Sequence, residues 1–154
     1  MNNHKIMKNT ENYLFSEKVS IIGLDFDGCC TVIIKNIDGK YNDWVDCPPN
    51  SHIINLAKRL IKKGKEIHIV TYRKKEYVPE VVKFCEDHDI KVKSIINTSG
   101  ESKIQPLLDI KADCHIDDDL STCLGLFMSE IEPILFMDEY NKENSSSKII
   151  RYKL

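Results

Sequence analysis

Short apolar runs recur along this chain, all but the last followed by a stretch with helical spacing, and that rhythm limits the fold more than any other feature. "VSIIGLDF", "EIHIVT", "KVKSII", "DCHI" and "PILFM" occupy residues 19–26, 66–71, 91–96, 113–116 and 133–137. Such short runs, bounded by turn or cap signals, suit strands buried on both faces. Between the first two, residues 51–64 set Ile53, Ile54, Ala57, Leu60 and Ile61 along one helical face, with Ser51 as the expected N-cap and Gly64 as the stop. Further helices are predicted over 75–88, 103–108 and 120–128. Strand and helix in alternation predict an α/β chain: a doubly wound, Rossmann-like three-layer sandwich around a central parallel sheet. Asp38-Gly39 within "TVIIKNIDGKYNDW" predicts a short β-hairpin flap after the first strand.

A length of 154 residues fits one domain with an adequate core. The patterned region gives a domain over 18–138, flanked by a polar N-terminal tail, 1–17, and a C-terminal tail, 139–154, containing the linker-like "NKENSSSK". A net charge of −2 argues against a basic protein that coats nucleic acid by bulk electrostatics. The six cysteines follow neither a zinc spacing nor a CxxC pairing, and several lie in apolar segments as small hydrophobes. No apolar run approaches a membrane span, and the first residues lack the apolar stretch of a secretory signal. A cytoplasmic protein without a membrane partner is expected.

Open parallel sheets bind ligands beyond the carboxyl ends of their strands, near the point where strand order reverses. Asp25-Phe26-Asp27-Gly28 ends the first strand, Thr71-Tyr72-Arg73 the second, and Asp117-Asp118-Asp119 the fourth, while Lys103 follows the third. Each group alone is ordinary: an Asp-x-Asp-Gly is commonly a turn, and an acidic triplet commonly favours a helix N-terminus. Together they are predicted to converge on one edge. Clustered carboxylates repel unless a cation joins them, and all-oxygen ligands select a hard ion such as Mg²⁺, which also seats substrate phosphate.

The order "DFDG", "IHIVT", Lys103, "HIDDD" resembles the four signature motifs of the haloacid dehalogenase superfamily, over about residues 19–137. The resemblance implies a magnesium-dependent phosphomonoester hydrolase acting through an aspartyl-phosphate. It makes Asp25 the nucleophile and a metal ligand. Asp27 becomes the general acid and base, its backbone carbonyl a further ligand. Thr71 and Lys103 hold the phosphoryl group, Asp118 is the third protein ligand, and Asp117 binds the metal directly or through water. Asp119 is read as helix-terminal charge. Arg73 is left as either a substrate-phosphate contact or a surface arginine. His68 and His115 are read as sheet residues, and Asp43 and Trp44 as candidates for the site entrance. The chain departs from the family pattern at Cys29, where threonine or valine is usual, and Thr31 stands two positions later, as in a "DGxLT" variant.

Residues 31–51 leave room for a flap and residues 96–103 only for a loop, so no cap domain is expected. Among capless members, "VTYR" with "HIDDD" is similar to the 3′-phosphatase domain of polynucleotide kinases and, more distantly, to deoxyribonucleotidases. No GxxxxGK[ST] loop is present, so no kinase activity is expected. A nucleotide or polynucleotide phosphate end is therefore the leading substrate class. The alternatives are a sugar-phosphate phosphatase whose site is completed by homo-oligomerisation, and a noncatalytic binding module that keeps the fold.

Overall fold

Alternation along each strand decides which helices cover which face of the sheet. The structure is a computed structural model that describes residues 3–34, 38–40, 47–137 and 150–154. After helix α1 (Asn3–Leu14) comes strand β1 (Ile21–Leu24), then α2 (Ser51–Lys62), β2 (Glu66–Thr71), α3 (Val78–Asp87), β3 (Ser94–Asn97), α4 (Ile104–Asp109), β4 (Cys114–Asp117), α5 (Leu120–Phe127), β5 (Glu132–Leu135) and β6 (Tyr152–Lys153). The six strands form one sheet in the order β3-β2-β1-β4-β5-β6, every pair parallel. Ile22 and Leu24 of β1, Ile67 and Ile69 of β2, and Cys114 and Ile116 of β4 join one apolar cluster with Leu14, Ile53, Leu60 and Val81 from α1, α2 and α3. Val70 packs with Leu107 and Leu126 of α4 and α5 on the opposite face. Helix, sheet and helix thus make three layers, as the strand and helix rhythm predicts.

The boundaries expected for α2 hold to within two residues, but its cap is Asn50 rather than Ser51. The Asn50 side chain accepts from the amides of His52 at 3.2 Å and Ile53 at 3.4 Å. Its own amide is pinned to the Cys30 carbonyl at 2.7 Å, so contact with the site loop selects the cap position.

Two segments read from sequence as tails are helix and strand. Residues 3–14 form α1, and residues 150–154 add β6 to the sheet edge. Tyr13 stacks on Tyr152 with centroids 4.2 Å apart, and Thr10 Oγ1 donates to the Lys153 carbonyl at 2.7 Å and accepts from its amide at 3.1 Å. One threonine therefore occupies both backbone groups of an edge-strand residue that would otherwise be open to pairing. Asp43, Trp44, most of the expected flap and the linker "NKENSSSK" lie outside the described residues. No helix among the described residues is long and apolar enough to cross a membrane.

Candidate active site

Strand order reverses at β1, which has β2 on one side and β4 on the other. The carboxyl end of β1 carries Asp25 and Asp27 on either side of Phe26, whose buried ring is fixed edge-on against Phe84 at 4.9 Å. Anchoring Phe26 in the core turns the two flanking aspartates toward the open edge. Gly28 then takes φ of +82°, a left-handed turn that glycine adopts without strain, and its amide donates to Thr31 Oγ1 at 3.2 Å.

Lys103 enters from the start of α4 and is almost wholly buried, with its side chain at 0% exposure. Its Nζ donates to Asp25 Oδ1 at 2.6 Å and to Asp117 Oδ2 at 2.8 Å, and lies 4.5 Å from the centre of the Tyr72 ring. Burial pushes this ammonium toward neutrality, but the two carboxylates outweigh it and its pKa is raised. Asp117 is engaged at both oxygens. Oδ2 also meets His115 Nε2 at 2.8 Å, and Oδ1 accepts from the Asp119 amide at 2.9 Å. Against the effect of burial, Lys103 and His115 hold the Asp117 carboxyl well below the usual range. Burial lowers the His115 pKa, and because the Asp117 carboxylate oxygen can only accept, Nε2 is the nitrogen that donates in this contact.

Asp27 is bound in a fork by Arg73, Nε to Oδ2 at 3.0 Å and Nη2 to Oδ1 at 2.8 Å. The same guanidinium reaches Glu80 at 3.0 Å and lies 4.8 Å over the Phe26 ring. Arg73 is thus buried, with its guanidinium shared between Asp27 and Glu80. Thr71 is fully buried, and its Oγ1 accepts from the Arg73 amide at 3.2 Å. That leaves the hydroxyl proton to be donated. Asp119 caps α5 through Thr122, accepting from its amide at 3.1 Å and its hydroxyl at 2.7 Å.

Asp118 faces Asp25, and a ligand atom from each, together with Cys29 Sγ, lie within 4.8 Å of one another. Burial and then the neighbouring Asp117 charge raise the Asp25 pKa against the pull of Lys103; burial and then Asp25 raise that of Asp118. A buried and a half-buried carboxylate that resist joint ionisation form a donor set a divalent cation satisfies, so the residues fit a magnesium ion at Asp25 and Asp118. Asp117 has both oxygens engaged by protein donors, Lys103 and His115 at Oδ2 and the Asp119 amide at Oδ1.

The four strand-end groups read from sequence therefore meet at one edge. Glu80 was not read as part of it, and Tyr72 and His115 stood in the quoted motifs without a role there. His115 carried the one available signal, a histidine two residues before Asp117 on the same strand face.

No protein-family model matches the sequence, and neither does any curated protein. Solved structures do match the fold. The 3-deoxy-D-manno-octulosonate 8-phosphate phosphatase of Moraxella catarrhalis, in complex with magnesium ion, phosphate ion and KDO, aligns at 16% identity and TM-score 0.59, over 93% of this chain and 81% of that one. A protein of Legionella pneumophila described as a HAD superfamily (subfamily III A) hydrolase aligns at 15% identity and TM-score 0.61, over 98% and 80%. A chain of the Pnkp1/Rnl/Hen1 RNA repair complex aligns at 13% identity and TM-score 0.59, over 78% of this chain and 43% of that one. The parallel sheet and its switch point give this chain the fold that these solved structures share.

Proposed function

We propose that the protein is a magnesium-dependent phosphomonoester hydrolase working through an aspartyl-phosphate on Asp25. The observation that carries this reading is the buried Lys103 ammonium bridging Asp25 and Asp117 while Asp118 lies against Asp25 at the switch point. Asp25, Asp118 and the Asp27 backbone carbonyl would hold the cation, which when bound offsets carboxylate and phosphate charge and polarises the phosphoryl group. Lys103 fixes one oxygen of Asp25 and supplies a permanent positive charge, and Thr71 directs its hydroxyl proton at a phosphoryl oxygen.

In the first step an Asp25 oxygen bonds to phosphorus as the ester P–O bond breaks, and Asp27 gives its proton to the departing oxygen. In the second, water attacks the phosphorus of the intermediate, Asp27 takes a proton from that water, and the Asp25–phosphorus bond breaks to release phosphate. Asp27 has to leave the Arg73 fork to do this, and an incoming phosphate oxygen is a natural replacement partner for that guanidinium.

A nucleotide or polynucleotide phosphate end is the substrate class we favour. The sugar-phosphate reading is favoured by a different observation: the Moraxella enzyme, with KDO in its complex, aligns over 93% of this chain and 81% of its own. Hydrolysis of p-nitrophenyl phosphate is expected to require Mg²⁺ and to vanish in Asp25→Asn. Phosphate release unchanged in that variant contradicts the mechanism. A panel of 3′-phosphorylated oligonucleotides, mononucleotides and sugar phosphates separates the substrate classes. Inactivity on all of them, with magnesium bound, points to a noncatalytic module.

A further inference from the structure

Cys29 faces this site, and the proposed reaction does not use it. It directly follows the Asp25–Gly28 turn and is 0% exposed. Its neighbour Cys30 donates to the Asp25 carbonyl at 3.4 Å, and Cys123 donates to the Asp117 carbonyl at 3.8 Å. The Cys29 thiol makes no hydrogen bond among the described residues and lies beside the buried Asp25 and the half-buried Asp118, with one ligand atom from each of the three within 4.8 Å of one another. A buried, unpartnered thiol beside two carboxylates gives a donor set with one soft and two hard members. Magnesium uses the oxygens and has little affinity for sulfur, whereas zinc and cadmium gain a strong bond from a thiolate.

We infer that Cys29 turns the cation seat into a mixed carboxylate–thiolate site, at which a thiophilic divalent ion binds through sulfur and competes with magnesium. The inference rests on the reading of Asp25 and Asp118 as a cation seat. When zinc or cadmium binds, the S–H bond is replaced by a metal–sulfur bond and the thiol proton passes to solvent. No oxidant or reductant takes part.

Cadmium is the probe, in Cys47→Ser protein so that the half-buried Cys47 cannot bind it. A cadmium–thiolate charge-transfer band is expected in the ultraviolet, and magnesium should compete it away. Cys29→Ser should abolish the band and weaken cadmium binding by more than the ~10–100-fold that loss of an outer-shell partner costs. Cys30→Ser should retain it. Should serine at position 29 unfold the chain, Cys29→Ala is the substitute. Calorimetry in buffers of different ionisation enthalpy tests the unaltered thiol directly: cadmium should release one proton more than magnesium does. A band that survives in Cys29→Ser, or equal proton release for the two ions, overturns the inference. Magnesium-dependent phosphate release without a Cys29-dependent band defeats this inference alone. A Cys29-dependent band in a protein that neither binds magnesium nor releases phosphate defeats the phosphatase reading and leaves the thiolate site standing.

Discussion

Asp25 is pulled in opposite directions, with burial and then the neighbouring Asp117 charge opposing its ionisation and Lys103 at 2.6 Å favouring the anion. In the metal-free protein Asp25 and Asp118 both titrate above the ordinary aspartate value of 3.8. The native state therefore holds more protons than the unfolded chain above that value. The stability those two groups contribute is full below it and lost as pH rises through their raised values. A bound cation displaces the protons, so its stabilising effect should grow in the same direction. His115 and Asp117 are shifted down, and their contributions run the other way, lost as pH falls; they are common to the free and loaded protein and largely cancel in the difference. The rise in Tm produced by saturating Mg²⁺ should be larger at about pH 8 than at about pH 5.5, with apparent affinity changing by up to roughly tenfold per pH unit for each proton displaced. Asp118→Asn should flatten this dependence. Equal rises at both pH values would show that the pair does not share a proton that the cation must expel. Sequence order placed Asp25, Asp27, Thr71, Lys103 and Asp118 at this edge, because strand ends and short spacings are readable. It did not separate Asp117 from Asp118, since that depends on which side of β4 each carboxylate leaves.

At the scale of elements, β1 and α4 approach closely enough that one missing side chain sets their spacing. A Cβ on Gly23 would fall 2.4 Å from Leu107 Cδ2 and 2.5 Å from His115 Nδ1. The first contact keeps α4, and with it Lys103, against the sheet. The second keeps the His115 ring where its Nε2 meets Asp117. Gly23→Ala should cost about 1–3 kcal/mol, as overpacking does. It should also reduce magnesium-dependent hydrolysis at temperatures where the variant stays folded, because the displaced imidazole loosens Asp117 and so Lys103. A variant matching the parent in both Tm and turnover would refute that chain of contacts. Nothing in "IIGLD" announces this role, since a glycine in a strand becomes informative only once its cross-strand neighbours are known. The strands were legible because Ile22, Leu24, Ile67 and Ile69 sit in short, largely apolar runs. The N-cap of α2 was not, because Asn50 and Ser51 are both good caps and the deciding contact comes from Cys30, twenty residues away.

The whole molecule is closed by its two ends, which is the part of the fold the sequence concealed. In "NHKIMKNTENYL" the inward positions include Ile6, Thr10, Tyr13 and Leu14, spaced four, three and one apart, yet only Ile6 and Leu14 are aliphatic. The face reads as polar because Thr10 fills a core position by bonding the backbone of Lys153, and Tyr13 by stacking on Tyr152. Such a helix gains little from its own propensity and depends on the strand it covers. β6 depends in turn on the cover, having only two residues and an open edge. Removing residues 150–154 takes away the buried side chains of Ile150 and Leu154, 2% and 7% exposed, and should cost about 3–6 kcal/mol at ~1.5–3 kcal/mol each. For a chain of this size each kcal/mol corresponds to roughly 2–4 °C in Tm. Thr10→Val, which deletes one hydroxyl and leaves two backbone groups without it, should cost about 1–3 kcal/mol. Neither change should alter magnesium affinity in the folded protein, because β5 and β4 lie between β6 and the carboxyl end of β1. Differential scanning calorimetry with magnesium titration checks both halves. Truncation without a fall in Tm would show that α1 and β6 contribute no stability, and a matching loss of magnesium binding would show that the ends are coupled to the site.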